Sequence, residues 1–212
     1  TNARTTRINN LYMKQAASSN VQISTISLTG GLTRNTIEVA LDGPDAELNL
    51  SGMAIADGQQ HVDNHTTILH NAPHCTSKEL MKYVLNDEAT GIFSGLVKVQ
   101  PGADKTISEQ TSRNLCATTK AHAYARPQLE IYADDVKCSH GATVGQLNEA
   151  ALFYMRQRGI SEAEARLMLM FAFVGEAIDT IRMEALKDRL HHLVEKRFCG
   201  ELGQCKGCKL SN

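Results

Sequence analysis

Leu129-Glu130-Ile131-Tyr132-Ala133-Asp134-Asp135-Val136-Lys137-Cys138-Ser139-His140-Gly141-Ala142-Thr143-Val144-Gly145 is the stretch on which the reading of this chain turns. Leu129, Ile131 and Ala133 alternate with polar neighbours, the period of a strand with one buried face. Cys138 and His140 stand two residues apart, so on a strand a thiol and an imidazole share one face. Two glycines, Gly141 and Gly145, then lead directly into a region of helical pattern.

Upstream the same alternation recurs in short runs: Ile37, Val39 and Leu41; Leu48 and Leu50; Val97 and Val99. Between the runs lie turn formers such as Gly30-Gly31, Asp42-Gly43-Pro44, Ala56-Asp57-Gly58 and Pro101-Gly102-Ala103-Asp104. No amphipathic helix of useful length intervenes. Many short strands with closely spaced turns describe a sandwich, a barrel or a coiled solenoid of sheet, and the pattern alone does not choose among them. No strict internal repeat is evident.

Downstream the period changes. A helix is predicted from about Leu147 to Arg158, closed by Gly159-Ile160 with the glycine in a left-handed cap. Ser161-Glu162-Ala163-Glu164 is a capping box opening a second, longer helix. Within it, Leu167 to Val174 is apolar around the whole circumference, as expected of a helix buried on several sides or docked on another chain. Ile178, Ile181, Leu186, Leu190 and Leu193 continue a narrower stripe. The expected organisation is a β domain over 1–145, a helical domain over 146–198 and a cysteine-containing flexible tail over 199–212.

Composition excludes several classes. The chain has 212 residues, a formal net charge of −1 and no run of Lys and Arg, so neither nucleic acid nor an anionic membrane is an expected partner. The Leu167–Val174 run is far shorter than the roughly 20 residues a spanning helix needs, and no membrane crossing is expected. The first residues show neither an initiator Met nor a secretory pattern, which suits a fragment of a longer protein. Six unevenly spaced cysteines favour free thiols and a reducing cytoplasm.

Several catalytic readings fail on spacing. Lys105-Thr106 lacks both glycines of a phosphate-binding loop, Asp104 taking the place of one. Gly91-Ile92-Phe93-Ser94-Gly95 is one residue out of register for a nucleophile elbow. Asp134 and Asp135, if on a strand, project to opposite faces and cannot flank one substrate bond. His61, His65, His70, His74 and Cys75 carry metal-binding atoms, but much of their spacing is helical in a stretch that reads as strand.

Cys138 and His140 suit iron or zinc, yet two ligands are too few for a stable site. The remainder would come from another chain or from sulfide; on spacing alone, a structural Cys and a surface His are the favoured reading. Cys199, Cys205 and Cys208 form a three-thiol group with one C-x-x-C and no fourth ligand, a weaker candidate for metal.

The quoted stretch, with Leu152-Phe153-Tyr154-Met155-Arg156-Gln157-Arg158-Gly159-Ile160, His70-Asn71-Ala72-Pro73-His74, Gly91-Ile92-Phe93-Ser94-Gly95 and Arg113-Asn114-Leu115, closely resembles the SufB/SufD family of iron–sulfur cluster assembly subunits. The resemblance runs from about His61 to Gly175. Gly141, where the SufB branch tends to carry Glu, places it with the SufD branch. It implies a mainly β fold, a right-handed parallel β-helix core with a C-terminal α-helical domain, and a missing N-terminal helical region.

It implies, too, a non-catalytic scaffold pairing with a SufB-like subunit and binding a SufC-like ABC-type ATPase through the helices, where Phe171 and Phe173 become docking candidates. His140 falls on the family's interface histidine that contributes to nascent cluster assembly, its partner thiolate coming from SufB. Cys138 is a same-face neighbour with no assigned role. The SufB branch's essential Cys falls on Ser112, and Cys116 does not inherit that part. No cofactor is expected to be held stably by this chain, the cluster being transient, and exposed sheet edges leave a homodimer of the isolated subunit open without requiring it. Two other classes stay open: a carbohydrate-active β-helix enzyme, since fold does not fix function, and a metal-binding module built on the terminal cysteines.

Overall fold

In a computed structural model that describes residues 5–199, the chain divides into two compact units between Gly145 and Gln146. The first unit holds ten strands among the described residues: β1 (Thr6–Gln15), β2 (Asn20–Ser27), β3 (Leu32–Leu41), β4 (Glu47–Ala56), β5 (His61–His70), β6 (Thr76–Leu85), β7 (Thr90–Val99), β8 (Ile107–Cys116), β9 (His122–Ile131) and β10 (Lys137–Gly145). Odd strands form one sheet, β1-β3-β5-β7-β9, and even strands the other, β10-β8-β6-β4-β2. Every pairing between neighbours is parallel. Two strands make one turn of a coil, so the unit is a parallel β-solenoid of five turns, which removes the sandwich and the barrel.

The turns differ in length. Leu32 pairs His61, His61 pairs Thr90 and Thr90 pairs His122, offsets of 29, 29 and 32 residues; Glu47 pairs Thr76 and Thr76 pairs Ile107, offsets of 29 and 31. Most strands keep ten residues, so the corners absorb the variation. At the corner joining odd to even strands, Ser18, Asp45, His74 and Lys105 recur in the left-handed region, with φ of 56°, 59°, 60° and 60°. Beside them Gly43 is obligatory, since a Cβ there would lie 2.1 Å from the Ala17 amide nitrogen of the neighbouring turn.

Pleating turns alternate residues into the coil. Ile37, Val39, Leu41, Leu48, Leu50, Ile68, Met81, Leu85, Val97 and Val99 make a dry core. Some polar side chains enter it as ladders. Asn9 donates to Asn35 (2.7 Å), Asn35 to Asn64 (2.7 Å) and Asn64 to the Tyr83 hydroxyl, which donates to the Ile92 carbonyl (3.1 Å). The Gly91–Gly95 motif is explained here: a Cβ at 91 would strike the Tyr83 ring, and one at 95 would lie 2.4 Å from Gln110 Nε2.

The second unit is helical: α1 (Glu149–Gln157), α2 (Glu162–Asp179) and α3 (Glu184–Phe198). Asn148 caps α1 by accepting from the Ala151 amide, so the helix starts two residues later than periodicity suggests. Gly159 (φ 84°) and the Ile160 N–H to Met155 C=O bond (3.3 Å) close it as a Schellman motif. The Ser161/Glu164 capping box is present. One expectation is corrected: Ile178 ends on α2, Ile181 lies in the link and Leu186 to Leu193 belong to α3, so that apolar stripe spans a break at Thr180–Met183 rather than one helix.

Candidate functional site

Among the described residues β10 is the last strand of its sheet, with β8 on one side and no strand on the other. Cys138 stands in register with Ser108 and His140 with Gln110, and Ser108 and Gln110 are both buried. The pleat therefore turns Cys138 and His140 to the interior side of the coil, at its open end. Cys138 is half-buried and packs on the core, while His140 is exposed.

Two columns run back from this pair through the even sheet. The first is Leu48, Ser77, Ser108 and Cys138. The Ser77 and Ser108 hydroxyls lie 2.8 Å apart, and Ser77 Oγ is 2.8 Å from Nε2 of the buried His70 on β5. The second column is Leu50, Glu79, Gln110 and His140. Gln110 Nε2 donates to Glu79 Oε2 at 2.7 Å, and Gln110 Oε1 has no partner.

Burial dominates the electrostatics. It pushes the Glu79 carboxyl up to about 7, against the hydrogen bonds of Thr66 and Gln110, and holds His70 down at about 4. It also raises the thiols of Cys75, Cys116 and Cys138, the last partly offset by a backbone hydrogen bond from Ser108. A thiol with a raised pKa is a poor ligand until a metal displaces its proton.

Among the described residues no group of three or more His, Cys, Asp or Glu side chains could hold a metal ion. Cys138 and His140 supply two donors, half of a tetrahedral set. The histidine run is dispersed: His65 bonds Asp63 (2.9 Å), His70 is interior, His74 is in a corner and Cys75 donates from its thiol to the Gly43 carbonyl (3.3 Å). Asp134 and Asp135 sit in the β9–β10 corner rather than on a strand, and Asp135 pairs with Lys105. Ser112 is interior and Cys116 closes β8. Cys199 caps α3, whereas Cys205 and Cys208 lie outside the described residues.

On the helices, Phe171 and Phe173 are half-buried, the Phe171 ring 5.6 Å from that of His191. Phe153, Tyr154 and Met168 are exposed instead. Periodicity did not single out Phe153 or Tyr154. Glu79 and Gln110 were missed as well, because only the register that links turns of unequal length places them behind His140.

The first unit is thus a five-turn parallel solenoid with Cys138 and His140 on its last strand. The family model for the SufBD core domain of SUF system FeS cluster assembly matches residues 1–173, and the chain belongs to that family. Within it, the chain is 36% identical over 173 residues to the iron–sulfur cluster assembly protein SufD of Escherichia coli, covering 82% of this chain and 41% of the relative. It is 30% identical over 166 residues to SufD of Bacillus subtilis (78% and 38%), and 36% identical over 183 residues to a SufBD family protein of Synechocystis (86% and 40%). The chain thus spans about two-fifths of the length of these relatives.

Proposed function

We propose that this chain is a non-catalytic scaffold subunit of iron–sulfur cluster assembly, acting in the cytoplasm. It pairs with a SufB-like subunit along its open end and holds a SufC-like ATPase through its helical unit. The observation that carries the reading is the placement of His140 on an edge strand, exposed, with Cys138 beside it and no third donor among the described residues. Such a half-site requires ligands from a second subunit. The cluster is cargo, passing through the interface once built. The reconstituted complex tests this directly: His140→Ala is expected to leave folding and both subunit contacts intact while lowering cluster yield, and normal yield from that variant would refute the role.

A further inference from the structure

Gln110 is fully buried on β8, between Glu79 of the preceding turn and His140 of the following one. Its amide N–H is committed to Glu79, so its carbonyl oxygen is left to find a donor elsewhere. An unpaired buried acceptor is destabilising, which makes this a position that selects a partner. On the opposite sheet the nearest hydroxyl, that of Thr66 one turn before Gly95, is engaged with Glu79. Gly95 faces Gln110 across the core, and Pro127 is its neighbour one turn on. Backbone amides of β8 and β10 are used in their ladder.

The one member of the column able to donate a side-chain N–H is His140, on a strand about 4.8 Å away. We propose that Gln110 is a positioning residue for His140: the His140 ring is exposed and not bonded to Gln110 in this structure, and on turning toward the core it gives one imidazole N–H to the Gln110 side-chain carbonyl, which fixes the tautomer and leaves the opposite ring nitrogen bare for iron. Orientation of a metal-binding histidine through its second nitrogen is the usual means of setting which nitrogen ligates. The purpose, though not the hydrogen bond, rests on the assembly role given to His140 above.

Long-range proton–nitrogen correlation spectra of the full chain, labelled at histidine and recorded at pH 8.5, read the tautomer without any metal. His140 is expected in a single tautomer with its ring N–H protected from exchange. Gln110→Met, which keeps the volume and removes the acceptor, is expected to bring both His140 ring nitrogens toward the averaged shifts of exposed His192. Glu79→Gln, which preserves the ladder, is expected to leave them unchanged. Unchanged His70 shifts certify that the core is intact in each variant.

An already averaged His140 in the unsubstituted chain, or identical His140 shifts in folded Gln110→Met, overturns the proposal. The unsubstituted measurement needs no variant to fold. In the complex, Gln110→Met is expected to lower cluster yield roughly tenfold. Tautomer loss in Gln110→Met alongside normal yield from His140→Ala would sink the assembly role and leave the hydrogen bond standing. The reverse pair of results would do the opposite.

Discussion

Glu79 Oε2 accepts a 2.7 Å hydrogen bond from Gln110 Nε2 in a part of the solenoid core that solvent does not reach. Two neutral donors, Thr66 and Gln110, do not compensate a buried carboxylate, so the acid form is favoured and the carboxyl titrates near 7. The native state then holds a proton between about pH 4.5 and 7 that the unfolded chain has released. Stability contributed by this group is full below about 4.5 and is lost as pH rises through 7, about 3 kcal/mol in all. Glu79→Gln is expected to flatten that decline and to exceed the unsubstituted chain in urea midpoint at pH 8. An unaltered pH slope would show that Glu79 is solvated or paired.

His70 acts in the opposite direction. Burial holds its imidazole neutral with a pKa of about 4, below the 6.5 of the unfolded chain. Over that window the unfolded state binds the extra proton, so stability is present above 6.5 and falls toward pH 4, again by about 3 kcal/mol. His70→Gln is expected to remove the acid-side loss at some cost in packing. Urea midpoints from pH 4 to 7 check it, the signature being a shallower acid limb whatever the midpoint at pH 7.

How far the sequence could be read follows from these same residues. Alternation at Ile37, Val39 and Leu41 identifies a buried strand face, and Gly159-Ile160 and Ser161-Glu164 identify helix ends, because both signals are local. Solenoid architecture is not local. It depends on pairing across 26 to 32 residues, and corners of unequal length erase the repeat that would reveal it. Only the family resemblance supplied it. Cys138 and His140 were legible as a same-face pair, but Glu79 and Gln110 lie two turns and one turn away and become neighbours only through register.

Glycines separate two kinds of constraint. At Gly43 a Cβ would meet the Ala17 backbone, which cannot yield without displacing a turn of the coil. Gly102 has φ 81° and open space around its Cβ position, so a substitution there meets only backbone strain. Gly43→Ala is expected to cost about 3 kcal/mol or more and Gly102→Ala about 1–2. Thermal unfolding of the two variants side by side checks the order, and equal losses would remove the packing argument.

The three solenoid thiols should react in order of access. Cys75 and Cys116 are buried and Cys138 is half-buried, and all three have raised pKa values from burial. Iodoacetamide followed by peptide mass analysis is expected to label Cys138 first under native conditions, and slowly, because the thiolate is scarce at pH 7. Cys75 and Cys116 are expected to label only with unfolding. Fast labelling of Cys138 would mean that the core and Ser108 leave its thiolate better solvated than the packing implies.

The proposed docking of an ATPase on the helical unit calls for separating side chains that hold the unit together from side chains that stay exposed after folding. Phe171 packs on the His191 ring and Phe173 is half-buried, so truncating either loosens the helices whether or not a partner uses them. Phe153 is 64% exposed on α1 and Met168 is 40% exposed on α2, so apolar area there stays available after folding. Phe153→Ser is expected to leave the melting temperature within about 2 °C, as for a surface change of a few tenths of a kcal/mol. If the ATPase binds this face, the same variant weakens its co-purification severalfold, whereas Phe171→Ala loses stability and binding together. Retained binding in both Phe153→Ser and Met168→Ser would move the docking surface off α1 and the exposed side of α2.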